Sequence, residues 1–118
     1  MSFSREAGAA AERRAADFLV ERGYRIIARN YSCRLGEIDI IAEDGRVLCF
    51  VEVRMRRVDR FGTAQETITP QKLQKIVRAA HHYLVTKGME SRECRFDVVT
   101  IQGDEQPKLA KDAFQADY

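Results

Sequence analysis

The 118-residue chain is expected to fold as one compact α/β domain, residues 1–118, in which a central mixed sheet containing a β-hairpin is flanked by helices. Two kinds of observation predict this. Two segments carry apolar residues at helical spacing, and four short runs are rich in β-branched and aromatic residues; along the chain they read helix, strand, hairpin, helix, strand. With 45% hydrophobic and 32% charged residues, the composition is that of an ordinary folded protein, not of a disordered one.

The first helix is expected from Ser4 to Arg22, with Ser4 as N-cap, Glu6 in the first turn and Gly23 closing the end. Gly8, Ala9, Ala15, Ala16 and Leu19 fall within about 60° of Glu12 on its wheel, so an acid occupies the middle of the apolar stripe. Either Glu12 snorkels to water or pairs with an arginine, or it serves a site. Arg14, Asp17 and Glu21 lie opposite, as solvated charges. Tyr24 to Tyr31 reads as a strand, and Ser32 to Leu35 as a connection.

The hairpin begins at Gly36, and Asp44-Gly45 predicts a two-residue type I′ turn. Pairing Glu43 with Arg46 would set Ala42 opposite Val47, Ile40 opposite Cys49, Asp39 opposite Phe50 and Ile38 opposite Val51. One face then holds Ile38, Ile40, Ala42, Val47, Cys49, Val51 and Val53; the other gathers Glu37, Asp39, Glu52 and Arg54 at one end. Carboxylates are depleted in strands and costly inside an apolar run unless their charge is compensated, so Asp39 and Glu52 demand an explanation. As diagonal neighbours about 7 to 8 Å apart they could converge on one cation. Glu37 opposite Glu52 would be a like-charge pair relieved by a divalent ion or an arginine.

Met55 to Thr69 reads as a loop, and a second helix follows from Pro70 to about Lys87, with Thr69 as N-cap and Gly88 as the stop. Its stripe is Leu73, Ile76, Val77, Ala80 and Leu84; Lys72, Lys75 and Arg78 line the polar side. His81 and His82 point about 100° apart, a poor metal pair, and are read as structural or surface residues. Cys94 to Ile101 is a further strand with a lone acid, Asp97, which either joins the site or holds a backbone amide or an arginine. Lys108 to Tyr118 is expected to form a short terminal helix.

Charge is unevenly spread. The net value is +2, yet Arg54 to Gly88 has eight basic residues against two acidic ones (+6), leaving −4 elsewhere, a distribution suited to binding a polyanion. No signal-like N-terminus or membrane-spanning apolar run occurs, so a cytoplasmic location without a membrane partner is expected. Cys33, Cys49 and Cys94 are spaced for neither a disulfide framework nor a zinc site and are read as reduced thiols.

Hard oxygen ligands on rigid elements suit Mg²⁺ or Mn²⁺, and such an ion can activate water and neutralise charge on a phosphodiester. Gly8-x-x-x-Glu12, Gly23-Tyr24, Asn30-Tyr31, Gly36-Glu37-Ile38-Asp39, Phe50-Val51-Glu52-Val53-Arg54, Phe61-Gly62, Pro70-x-Lys72 and Arg95-Phe96-Asp97-Val98-Val99 together resemble the YraN family of small endonuclease-like proteins. The resemblance runs across nearly the whole chain. It implies the restriction-endonuclease-like fold and similarity to archaeal Holliday-junction resolvases. It also implies that Glu12, Asp39 and Glu52 occupy the metal-binding positions of a PD-(D/E)xK nuclease. Where that motif has lysine, this chain has Arg54, which stays charged and cannot act as a base, although it can stabilise a phosphate; Lys72 is the alternative donor.

The leading expectation is therefore a Mg²⁺- or Mn²⁺-dependent endonuclease acting on branched or otherwise structured DNA. Asp39 and Glu52, with Glu12, would bind metal, Arg54 or Lys72 would steady the scissile phosphate, and Arg56, Arg57, Arg60 and Lys75 would position the strand. The rivals are a catalytically weak nucleic-acid-binding module and a protein-binding domain whose acids Arg54 neutralises. Junction resolution would require two symmetric sites, hence a homodimer.

Overall fold

The computed structural model describes residues 5–59, 62–65 and 68–115, with side chains for 6–56 and 68–115. Two helices, α1 (Arg5–Glu21) and α2 (Pro70–Thr86), cover opposite faces of a mixed sheet of β1 (Arg25–Cys33), β2 (Gly36–Asp44), β3 (Val47–Asp59), β4 (Gly62–Gln65), β5 (Cys94–Gln102) and β6 (Lys108–Phe114). The main strand order is β1-β2-β3-β5-β6, with β4 added to the far end of β3; among the described residues only β3 and β5 run parallel. This is the single α/β domain expected, consistent with the restriction-endonuclease-like fold.

Both helices form for local reasons. α2 starts at Pro70 because its first amides need no ladder partner and the Thr69 hydroxyl accepts from Lys72 N at 3.1 Å. α1 buries Ala15, Phe18 and Leu19 against Ile40, Ala42, Cys49, Val51, Val53 and Val99. On the other face α2 buries Ile76, Ala80 and Tyr83 against Ile41, Leu48, Phe50 and Phe96. Phe50 is the hub of that side, edge-on to Tyr83 at 6.0 Å and tilted against Phe96 at 5.6 Å.

Several expectations are corrected. The hairpin loop is Gly45-Arg46 rather than Asp44-Gly45, so Ala42 faces Cys49, Ile41 faces Phe50 and Ile40 faces Val51. Gly45, at φ +62°, takes the first central position, and Asp44 remains in the strand because its carboxylate is held by Arg95 Nη2 at 2.9 Å and Lys111 Nζ at 3.2 Å. The displacement moves each strand by a whole pleat repeat relative to its partner, so the segregation of faces survives. Ile38 is the exception, packing on the α2 side with Ile41. Part of the expected loop after Met55 is strand, since β3 runs to Asp59 and pairs with β4; Arg60 lies outside the described residues. The expected terminal helix is instead β6, an edge strand on β5, with Leu109 packed towards the α1 side and Phe114 stacked on Phe96 at 4.9 Å. Arg14 is not simply solvated, because it donates to the Gly103 and Glu105 carbonyls. Ser4 lies outside the described residues.

Asp97 joins the parts. It is 0% exposed and accepts from Arg95 Nε (2.8 Å), Tyr24 Oη (2.9 Å) and the Asp112 amide (2.9 Å), tying the end of α1 to β5 and β6. It thus holds an arginine and a backbone amide, as one of the two sequence readings had it. Burial alone would raise its pKa, but these donors, with a second hydrogen bond from Arg95 Nη2 at 2.9 Å, outweigh burial and hold the carboxyl below the usual carboxylate range. His82 is likewise structural, with Nδ1 2.7 Å from the Tyr31 hydroxyl, and the three cysteines are free.

Removing Asp97 should therefore be severe: Asp97→Ala is expected to cost about 3–5 kcal/mol in urea unfolding, the usual result of stranding one partner of a buried pair. Because the folded pKa is depressed, the stabilisation is present above the unfolded pKa and lost as pH falls through the folded value. Wild type should lose more stability than Asp97→Asn between about pH 5 and pH 2, measured by thermal melts.

Candidate functional site

The site lies where β2 and β3 part. Their ladder ends at Ile40–Val51, and the Val53 amide then donates to Asp39 Oδ2 at 2.8 Å. A side-chain carboxylate thus takes the place of a backbone acceptor. Side-chain alternation breaks at the same point, which is why Ile38 and Ile41 share a face. Beyond the fork β3 continues without β2, paired with β5 as far as Arg56 and then with β4 from Arg56 to Asp59.

A cavity of ≈ 210 Å³ opens at the fork, lined by Glu12 of α1, Glu37 and Asp39 of β2, Glu52 of β3 and Lys72 of α2. Glu52 is 5% exposed and Glu12 8%. Lys72 Nζ stands 3.2 Å from Glu52 Oε1, and the Thr69 cap fixes the backbone that carries it. Glu12 receives the Arg29 Nε–H at 3.3 Å and a second hydrogen bond from the Asn30 side chain. Asn30 is in the left-handed region at φ +56°, a conformation asparagine tolerates better than most residues.

The acids are under-compensated. Burial, then the charge and hydrogen bond of Asp39, push Glu52 up to about 8, and the Lys72 ion pair does not offset them. Burial, then Asp39, also raise Glu12 against the opposing pull of Arg29 and Asn30. The contrast with Asp97 lies in the number of donors: Asp97 accepts four hydrogen bonds from three residues and falls below its ordinary value.

Glu12, Asp39, Glu52 and Lys72 are therefore brought together, whereas Arg54 sits half-buried on β3 opposite Thr100 and is not among the cavity-lining side chains. Lys75, one turn beyond Lys72, lines a neighbouring groove with Arg34 that shares Glu37 and Lys72 with the acid cavity. Arg56 lines a different neighbouring cavity, which meets the acid cavity at Met55. Arg57 is described only by its backbone, opposite Ala64. Arg29 had no role in the sequence reading, and Asn30 entered it only through the Asn30-Tyr31 pair of the family resemblance, with no role at the site assigned to it. With the register displaced, Phe50 faces Ile41 rather than Asp39, and Glu37 pairs with Ser32 of β1.

Among the described residues no group of three or more His, Cys, Asp or Glu is already disposed around one point as a metal cage. The donor set nonetheless fits Mg²⁺ or Mn²⁺, which bind hard oxygens through one or two carboxylates and keep several waters. Asp39 and Glu52, in hydrogen-bond contact, are that pair, and the proton that Glu52 retains there is what a dication would displace.

Fold and site together define an α/β domain of restriction-endonuclease-like architecture with a buried carboxylate cluster at a strand fork. The family model described as "Uncharacterised protein family UPF0102" matches residues 11–101, and the chain belongs to that family, the YraN family. It is 49% identical over 117 residues to the UPF0102 protein of Symbiobacterium thermophilum, covering 96% of this chain and 99% of that protein. The UPF0102 protein of Nitrosococcus oceani is 47% identical over 117 residues, covering 96% and 94%, and that of Nitrosomonas eutropha 43% over 114 residues, covering 97% of each. No described helix is long and apolar enough to cross a membrane.

The raised pKa of Glu52 carries a signed prediction. The folded state holds this proton up to about pH 8 while the unfolded chain releases it near 4.5, so stability from this group is full below 4.5 and is lost as pH rises to about 8. Glu52→Gln should thus melt higher than wild type at pH 9 and show no such gain at pH 4.

Proposed function

We propose that this protein is a metal-dependent nuclease that hydrolyses phosphodiester bonds in branched or otherwise structured DNA. The observation that supports this best is the meeting of Glu12, Asp39 and Glu52, from three separate elements, in one cavity beside Lys72. Structural acids are normally neutralised by their surroundings, as Asp97 is. Here the carboxyl pKa values are raised instead, so the cluster holds a proton that a cation can replace, which suits a site built for a cation.

Asp39 and Glu52 would hold Mg²⁺ or Mn²⁺, with Glu12 contributing directly or through water. When bound, the ion supplies a polarised water and a counter-charge for the phosphate. Asp39 is positioned for this by the Val53 amide, which fixes one carboxylate oxygen. Lys72 brings a compact ammonium to the cavity, so it takes the part that Arg54 would otherwise fill, steadying the scissile phosphate. Arg56, Arg57, Arg60 and Lys75 would carry the nucleic acid past the site, Lys75 in one adjoining groove and Arg56 in the other. Resolution of a four-way junction would require two such sites, and therefore a homodimer.

The test is cleavage of labelled flap, four-way and linear duplex DNA with Mg²⁺ or Mn²⁺. Asp39→Asn is expected to reduce cleavage by about a hundredfold or more, beyond the loss from an outer-shell substitution. Lys72→Ala should fall in the same direction, and Arg54→Lys should leave the rate little changed. Absence of cleavage of every form with either metal overturns the nuclease reading. Salt-dependent DNA binding that persists in Asp39→Asn without metal would then assign the binding-module role.

A further inference from the structure

The edge strand β1 is bent to reach the site. In an unbroken strand Arg29 and Tyr31 would share a face. Here Arg29 pairs with Ile40 and reaches Glu12 on the α1 side, whereas Tyr31 pairs with Ile38 and packs edge-on against Tyr83 of α2 at 5.2 Å. The break falls at Asn30, at φ +56°, which stands abreast of Asp39 between those two pairs. Ile38 and Ile40 are parted between the two faces of the sheet in the same way, so β1 copies the break that opens the fork. Left-handed backbone within a strand is costly for residues other than glycine and is held only where the surroundings over-determine it.

The break gives one carboxylate a two-donor grip. Successive strand side chains ordinarily point to opposite faces, yet Arg29 and Asn30 both bond Glu12, the first through Nε–H to Oε1 at 3.3 Å and the second through its side-chain amide. Glu12 lines the acid cavity and neither donor does, so the carboxylate is held from behind. The Arg29 side chain is 39% exposed, and an ion pair so open to water adds little to stability. Stability alone therefore gives little reason for the backbone strain. We propose that Arg29 and Asn30 are positioning residues, which fix the Glu12 carboxylate towards the ion-binding pair Asp39 and Glu52. The inference rests on the nuclease reading for the ion. It deepens that reading by saying how the third acid is set, and it makes β1 part of a site whose described cavity walls contain none of its residues.

The experiment is Mn²⁺ binding to the full chain without DNA, followed through the electron paramagnetic resonance signal of the free ion. Two variants leave the net charge as it is. Arg29→Lys keeps the cation and gives up the fixed Nε–H, and Asn30→Gly keeps the left-handed backbone and gives up the amide. Each should weaken Mn²⁺ binding by about tenfold or more, the usual cost of losing a partner that orients a ligand. In a Glu12→Gln background, which retains Asp39 and Glu52, neither should add more than about twofold, because both act through Glu12. Circular dichroism will show that the variants are folded. Wild-type affinity in Asn30→Gly overturns the proposal, since residue 30 would then serve its backbone angle alone; so do losses of equal size with and without Glu12. Cleavage of flapped and four-way DNA is read separately. Coupled losses in a chain that never cuts keep the positioning role and remove the nuclease assignment, whereas cutting by a chain whose losses are additive does the reverse.

Discussion

The hydrogen bond from the Val53 amide to the Asp39 carboxylate is the constraint on which the site depends. A strand leaving its neighbour exposes backbone donors, and buried donors must be answered. Here the answer comes from a side chain, so β2 and β3 can separate without an orphaned amide, and the carboxylate that permits the separation is held at the mouth of the space it creates. Glu52 then lies at the point of divergence, Glu12 reaches in from α1, and Lys72 reaches in from the capped start of α2. Fork and cavity are consequences of one local substitution of acceptor.

The buried acids of this chain fall into two kinds, and the difference is physical. Asp97 is deeper than either Glu12 or Glu52, yet it sits below the usual carboxylate range because guanidinium, hydroxyl and amide donors converge on it. Glu52 sits far above that range because one ammonium faces both burial and a second carboxylate. Depth is therefore a poor guide to function here. What separates the structural acid from the candidate site acids is whether the protein supplies the compensating charge itself.

Much of this was legible in the residues. The alternation of Ile40, Ala42, Cys49 and Val51 against Ile41, Leu48 and Phe50 specifies two faces under either hairpin register, so the acids could be grouped although the turn was misplaced by one residue. Glu12 stood out because an acid in the middle of an alanine-rich stripe contradicts the pattern around it. The hidden parts depend on distant partners. Asp44 stays in its strand because of Arg95 and Lys111, which no local turn rule contains. Lys108 to Phe114 has helix-forming residues yet becomes a strand, because the free edge of β5 and the Asp97–Asp112 bond offer it a ladder. That Lys72 meets Glu52 follows from how α2 lies on the sheet, which sequence spacing does not encode.

How closely α2 lies is set at Gly36. A β-carbon there would stand 2.5 Å from the Lys75 carbonyl oxygen, a contact with backbone that no rotamer can relieve. The helix is thus seated on the start of β2 at a distance only a bare α-carbon permits. Lys72 is one turn earlier, so the missing methyl acts as a spacer gauge for the ammonium. A side chain at 36 would push this turn of α2 outwards and so set the counter-charge farther from the acids, making the electrostatic balance of the cluster adjustable through the seating of a helix.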